Sequence, residues 1–234
     1  MSKLSAIAVR ASNSWKVTYS DLLTGLLAFF LLLIIKAEQE SNTTFKFADQ
    51  LKETVYKQVI DEKNVRNLDW LYVEHAGPKG IKLVIPSEIG DQTFFQSGDD
   101  RIVTDFLFYL STVADIVEGL ELEQIPTRYA AIFERLRFAG KSIKINVRIE
   151  GHSDAVPLGR NSRFRDNWDL STARAHRVMQ FFIDETPIPE AFFSMSGYGP
   201  FHPLVDINRY DENRRVEIYL DIQMIDLENG NHAI

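Results

Sequence analysis

IKINVRIEGHSDAVPLGRNSRFRDNWDLSTARAHRVMQFFIDE, residues 143–185, changes its hydrophobic period from two to between three and four. From Ile143 to Glu150 every second residue is apolar, the pattern of a strand with one buried face, and the run ends at Gly151. From Leu170 to Glu185 the apolar residues Ala173, Val178, Phe181 and Phe182 gather on one side of a strong helix. A strand, a polar loop and a helix in succession make the unit from which α/β layers are built.

The flanks extend this pattern. A turn at Gly77-Pro78-Lys79-Gly80 opens a folded domain, followed by a strand at Ile81–Ile85 that Pro86 ends. A loop carrying Gly90, Phe94, Phe95 and Gly98 comes next. The spacing predicts helices over Arg101–Glu118 and Glu123–Phe138, and further strands over Phe192–Ser196 and Val216–Ile222. The expected architecture is an α/β (α+β) sandwich, a mixed sheet of about four strands with helices on one face, spanning residues 77–225 before a tail at 226–234. Residues 37–76 hold no Gly or Pro and read as a linker helix, with Phe47, Leu51, Val55, Val59 and Ile60 at partly helical spacing.

Nearer the N-terminus stands WKVTYSDLLTGLLAFFLLLII, Trp15 to Ile35. Val17–Ile35 is nineteen residues, roughly 28 Å as a helix and enough to cross a bilayer core. The boundaries place a short tail at 1–14, a transmembrane helix at 15–36 and the linker at 37–76. Lys3 and Arg10 precede the span, Lys16 lies just inside its boundary, and Lys36, Glu38 and Glu40 come at and after its far end, so the basic excess puts the N-terminus in the cytoplasm and the rest outside. No small-x-small cleavage site follows Ile35, so an anchor is read rather than a signal peptide.

Asp21 is the only acid in this run, and a carboxylate in a membrane span costs a few kcal/mol, so its default reading is functional. Asp21, Thr24, Gly25 and Ala28 share one face of small or polar groups, suited to packing against protein. That face is a pathway for a cation or proton, or a dimerisation stripe from which Asp21 reaches the interface.

Composition narrows the function. A net charge of −7 argues against a nucleic-acid partner. With no cysteine, disulfide scaffolds, thiolate zinc sites and cysteine nucleophiles are excluded. His152 and Asp154 lack a third metal ligand of suitable spacing, and Ser153 lacks the elbow and partners of a nucleophile. No cofactor is expected, and no catalytic constellation points to an enzyme. Asp154 and Arg174 are equally readable as a structural pair or as two halves of a binding site.

GHSDAVPLGRNSRFRDNWDLSTARA, residues 151–175, resembles the peptidoglycan-binding signature of OmpA-like domains, in the version carried by the MotB branch. GYGPFHP at 197–203 and NRRVEIYL at 213–220 are similar to that family's closing motifs in order and spacing. WKVTYSDLLTGLLAFF resembles the MotB membrane helix, whose Tyr-x-Asp-Leu pattern places the ion-carrying acid at Asp21. The resemblance implies the B subunit of an ion-driven rotary stator in the bacterial inner membrane, with its C-terminal domain in the periplasm. It implies a homodimer inside a ring of a multi-pass MotA-like partner, Asp21 as carrier of H+ or Na+, and Thr24 lining the pathway. For the outer domain it implies binding of the diaminopimelate of the peptidoglycan stem peptide. Asp154 would accept from the ligand's ammonium and Arg174 would fork onto its carboxylate, with Asn167 and Arg214 in support. The stretch between Gly98 and Ile143 is longer than in flagellar members. The same plan therefore also fits a non-flagellar motor such as the ZorB branch of Zorya anti-phage systems, and a purely structural envelope-to-wall tether is the third reading.

Overall fold

A computed structural model describes residues 3–96, 98–160, 162–203 and 213–227. The chain divides into two compact units, Met1–Phe47 and Ala48–Ile234. Helix α1, Lys3–Val65, supplies nearly all of the first unit and opens the second. Within it Trp15–Lys36 is long and apolar enough to cross a membrane, and none of it is buried. A continuous surface of exposed Leu, Ile and Phe needs lipid or protein around it. The Thr24 hydroxyl donates to the Ser20 carbonyl one turn back, at 2.8 Å, so this polar side chain is satisfied within its own helix.

In the second unit α1 buries Leu51, Val55 and Val59, a stripe at i, i+4 and i+8. Tyr56 stacks on His75 with ring centroids 3.8 Å apart. The helix does not run on to residue 76 as the sequence predicts. It stops at Val65, and Asn67 takes a left-handed backbone (φ 54°), which asparagine tolerates better than most residues. The absence of Gly and Pro from 37–76 hid this break, and it hid a strand as well.

That strand is β1, Tyr72–His75, and it makes the main sheet five-stranded rather than about four. The others are β2 (Ile81–Pro86), β5 (Lys141–His152), β6 (Phe193–Gly197) and β7 (Arg215–Asp226), in the order β1-β2-β7-β5-β6. Only β5 and β6 are parallel, so the sheet is mixed. Two short strands, β3 (Glu88–Ile89) and β4 (Gln92–Thr93), form a separate hairpin. The tail predicted at 226–234 lies, beyond Leu227, outside the described residues.

The helix predicted at 101–118 is a 3-10 turn at Thr104–Phe106 followed by α2, Leu107–Gly119. The stretch predicted as one helix over 123–138 is broken. A 3-10 turn at Leu122–Gln124 leads into α3 (Ile125–Arg128), with Pro126 in its first turn, and α4 (Ala130–Phe138) follows. Between them Tyr129 leaves the helical region (φ −114°, ψ 31°).

Helix α5, Asn167–Glu185, makes the crossover between the parallel strands. Asp166 caps it by accepting from the Asp169 N–H at 2.8 Å. Its buried residues Leu170, Ala175, Val178 and Phe182 form the core with Val147 and Ile149 of β5 and Ile218 and Leu220 of β7. Two glycines allow the close approach: a Cβ at Gly151 would collide with the Ser171 carbonyl, and one at Gly197 with Thr172.

Strand alternation sends the neighbouring residues to the opposite face of the sheet. There Arg148 pairs with Asp221 at 2.8 Å and with Glu150, while Arg215 pairs with Glu217 at 2.6 Å. Glu150, Arg215 and Glu217 are each less than a tenth exposed, so these charges are compensated by one another rather than by water.

Candidate functional site

At the C-terminal end of β5 the chain turns away from the sheet, crosses residues 153–166 and re-enters as α5. This end is pinned to the turn after β6. Tyr198 donates to the Gly151 carbonyl at 2.9 Å and Ser153 to that of Gly199 at 3.1 Å. The Ser171 hydroxyl joins the turn to α5, accepting from the Gly199 N–H at 2.9 Å and donating to the Trp168 carbonyl. The Ser153 hydroxyl separately donates to the Asn167 carbonyl at 3.4 Å, so both hydroxyls are engaged in backbone scaffolding.

The result is a cleft of about 500 Å³ whose lining includes Asp154, Asn167, Arg174 and Arg214. All four binding residues expected from the sequence therefore meet in one place. They come from three separate elements: Asp154 from the loop after β5, Asn167 and Arg174 from the first and second turns of α5, and Arg214 from the residue before β7. Asp21 and Thr24 belong to the first unit and take no part in it.

Their roles differ from one another. Asn167 donates to the carbonyls of Asp154 (3.1 Å) and Val156 (2.8 Å), so its amide fixes the loop that carries Asp154. Asp154 accepts from the Val156 N–H at 3.0 Å and from Arg214 Nη1 at 3.3 Å, the latter on its other oxygen. A carboxylate has about four acceptor positions, so capacity for a ligand donor remains. Arg214 also reaches Glu88 at 3.3 Å and so joins the β3 strand to the cleft wall.

Arg174 is 5% exposed, and its guanidinium is held by backbone. Nε donates to the Asp99 carbonyl at 3.0 Å and Nη2 to that of Gln96 at 3.4 Å, with the Phe95 ring 4.8 Å away. Burial pushes its pKa down to about 10, helped by the charge of Arg214 and resisted by Asp154 and Asp99. It remains a cation at neutral pH. No ion pair joins Arg174 to Asp154 among the described residues. Asp154 takes Arg214 as its partner instead, and the cleft holds a cation and an anion whose charges still act on each other.

The Gln96–Asp100 loop that grips Arg174 is itself clamped. Asp99 binds Arg101 (2.6 Å) and Arg163 (2.7 Å), and Asp100 binds Arg163 and Arg177. Arg101 chiefly, against an opposing effect of burial and with help from Arg163, holds the Asp99 carboxyl at about 2. Sequence reading placed Phe95 and Gly98 in a loop but gave no role to Asp99 or Asp100. Their contacts to Arg163, Arg174 and Arg177 reach 64 to 77 residues along the chain, and no local pattern announces them.

His152 also lines the cleft wall, 3% exposed and stacked on Tyr198. The sequence offered it no third metal ligand of suitable spacing. The fold supplies partners all the same: ligand atoms of Glu150, His152 and Glu217 lie within 4.8 Å of one another. Glu217 arrives from β7, which pairs with β5 only in the folded sheet. Both carboxylates already hold cations, Glu150 that of Arg148 and Glu217 that of Arg215, and Tyr219 donates to Glu217 at 2.8 Å. The charge that a divalent ion would bring is therefore already present. Burial pushes the His152 imidazole below its ordinary value, Glu217 resisting, and favours the neutral ring.

The two ends of the chain match two families. Residues 5–55 match the family described as membrane MotB of the proton-channel complex MotA/MotB, and residues 123–217 match the OmpA family. The protein YtxE of Bacillus subtilis is 26% identical over 90% of this chain and 89% of its own length. Motility protein B of Helicobacter pylori strain J99 is 25% identical over 93% and 89%. The crystal structure of a MotB-like protein from Desulfovibrio vulgaris shares the fold, with a TM-score of 0.55 and 24% identity over 76% of this chain and 98% of that one. The chain is thus a MotB-like protein with a C-terminal OmpA-like domain. Neither family is one of enzymes.

Proposed function

We propose that this MotB-like chain is the wall-anchored B-type subunit of a rotary motor driven by ion-motive force. The observation that carries the proposal is the order of two features in one chain. A lone acid, Asp21, stands in the apolar helix matched to membrane MotB, and an Asp154/Arg174 cleft stands in the region matched to the OmpA family.

Each feature has its own physics. A 100 mV potential supplies about 2.3 kcal/mol per charge carried across it. An acid in the span is the means of coupling to that supply, and the proton-channel description of the matched family favours H+ over Na+. Thr24, one turn from Asp21, lies on the same face. The span then crosses the inner membrane with the N-terminus in the cytoplasm and the folded domain in the periplasm. Two copies pair inside a ring of a multi-pass MotA-like subunit. Asp154 and Arg174 offer one site of each sign, which suits the zwitterionic end of a stem-peptide diaminopimelate, and peptidoglycan is the immobile body against which force is developed.

The test is motor output in the native host with Asp21→Asn beside Arg174→Ala. Loss of output in both, with the Asp21 variant still retained on the wall, is the expected result. Unchanged output with Asp21→Asn would reduce the chain to a structural tether. A non-flagellar machine of the Zorya type is the second reading, and it rests on the longer stretch between Gly98 and Ile143 expected from the sequence. Neighbouring helicase and nuclease genes, as opposed to flagellar genes, would assign that role.

A further inference from the structure

Arg163 stands in the segment 162–166 that leads into α5, and its guanidinium reaches the carboxylates of Asp99, at 2.7 Å, and of Asp100. Asp99 lies 64 residues back in the chain, and its carbonyl holds Arg174 Nε at 3.0 Å. The near end of this link is tied down as well. Ser162 N–H donates to the Gly159 carbonyl at 2.9 Å, the Ser162 hydroxyl accepts from the Phe164 N–H at 3.1 Å, and Arg165 N–H donates to the Asp169 carboxylate at 3.1 Å. Gly159 lines the cleft together with Asp154. Arg163 therefore joins the wall that carries Asp154 to the wall that holds Arg174. Among the described residues no other side chain of 153–166 pairs with 98–100.

Stability alone does not account for this arginine. Its side chain is 56% exposed, and half-exposed ion pairs contribute little to folding. Without Arg163, Asp99 keeps Arg101 and Asp100 keeps Arg177, so neither acid is left unpaired. What only Arg163 supplies is the brace between the two segments. A guanidinium that reaches two carboxylates at once fixes direction as well as distance. The Phe164 ring, 4.8 Å from Arg163 Cζ, steadies the side chain from its own segment. Arg163 is not itself part of the cleft lining, so whatever it does for a ligand passes through the frame.

We propose that Arg163 is a positioning residue of the cleft: by bracing 162–166 against Asp99 and Asp100 it sets the separation of Asp154 and Arg174, and so selects ligands that carry an ammonium and a carboxylate at one fixed spacing. The inference rests on the zwitterion reading of the cleft. A ligand with one group of each sign makes its second contact intramolecularly, and gains from it only as far as the two partners already stand at the matching distance. Freedom between the walls lowers the effective concentration of the second partner, and ordering the walls on binding costs affinity. A ligand with a single charged group engages one wall and is indifferent to the spacing. Arg163 thus acts on the difference between two-ended and one-ended ligands without touching either.

The test measures three soluble ligands on the full-length protein in detergent by calorimetry: the diaminopimelate stem tripeptide, the same tripeptide with its free amino group acetylated, and the same tripeptide with the carboxylate beside that amino group amidated. The wild-type chain is expected to bind the zwitterion about tenfold more tightly than either capped form. In Arg163→Ala that ratio falls to about twofold while the affinities for the capped forms stay as they were. Arg163→Lys keeps the charge but cannot hold both acids in one planar fork, and its ratio is expected to lie between the two. An unchanged ratio in Arg163→Ala, or an equal loss for all three ligands, overturns the positioning role and leaves the zwitterion reading standing. A wild-type chain that binds none of the three, or binds all three alike, overturns the zwitterion reading and this inference with it.

Discussion

Asp154 and Arg214 face each other across the cleft at 3.3 Å, while Arg174, the cation expected to act with Asp154, is held instead by the backbone of another loop. Asp154 is thus the acid that lets two guanidinium groups share one small space. Asp154→Ala removes the acceptor for a ligand ammonium and also leaves Arg174 and Arg214 repelling each other. Retention on purified peptidoglycan sacculi, followed by co-sedimentation, should fall at least about tenfold, in keeping with the ~2–5 kcal/mol seen when one partner of a buried charge pair is truncated. Asp154→Asn preserves the turn to Val156 and should fall less. Wild-type retention in Asp154→Ala would remove this carboxylate from the site.

Arg174→Lys tests geometry at constant charge. Lysine carries one ammonium and cannot at once donate to the Gln96 and Asp99 carbonyls and present a fork to a carboxylate. Both carbonyls would compete with the ligand for the same three protons. We expect about a tenfold loss of sacculus binding, close to that of Arg174→Ala, with limited proteolysis showing earlier cleavage near residues 96–101. Full rescue of binding by lysine would mean that only the charge matters.

The parts of this architecture that follow from local periodicity were legible. The strands at 81–85, 143–150 and 216–222 were found, and so was α5, since each alternates or repeats along its own length. What escaped were features set by contact between distant segments. Tyr72–His75 is only four residues long, and it is a strand because β2 lies beside it. The Asp99 and Asp100 clamp on the loop behind Arg174 has no sequence signature, because apart from the adjacent Arg101 its arginines are supplied from the loop after β5 and from α5. Conversely, Asp154, Asn167, Arg174 and Arg214 were identified together through a motif resemblance, and spacing alone did not distinguish binding from pairing.

His152 makes stability depend on pH. Its folded-state value lies below the ordinary 6.5, first through burial, so between the two values the unfolded chain binds more protons than the folded one. Stability should be flat above about pH 6.5 and should decline as pH falls below it. The groups facing the ring, Glu150, Glu217, Arg215 and His202, set the depth of that decline. The melting temperature of the wild-type chain should drop more between pH 7 and pH 5 than that of His152→Gln, whose profile loses this titration. Parallel profiles would show that the imidazole stays neutral in both states or charges without cost.

Gly151 is where strand, helix and cleft meet. An added methyl group would collide with the Ser171 carbonyl and press on the Ala175 side chain. Neither neighbour is the movable end of a long chain, so relief requires α5 to lift from β5. The α5 shift would displace Asn167 and Arg174 together, since both belong to that helix. Gly151→Ala is therefore expected to cost more than about 4 kcal/mol, in the range that signals a specific structural cause, and to abolish sacculus binding with it. Gly119→Ala, at the end of α2 and outside the cleft lining, serves as the control, because nothing lies within 4 Å of its added carbon. A Gly151→Ala chain that melts and binds like the wild type would mean that the close packing of α5 on β5 does not position the site.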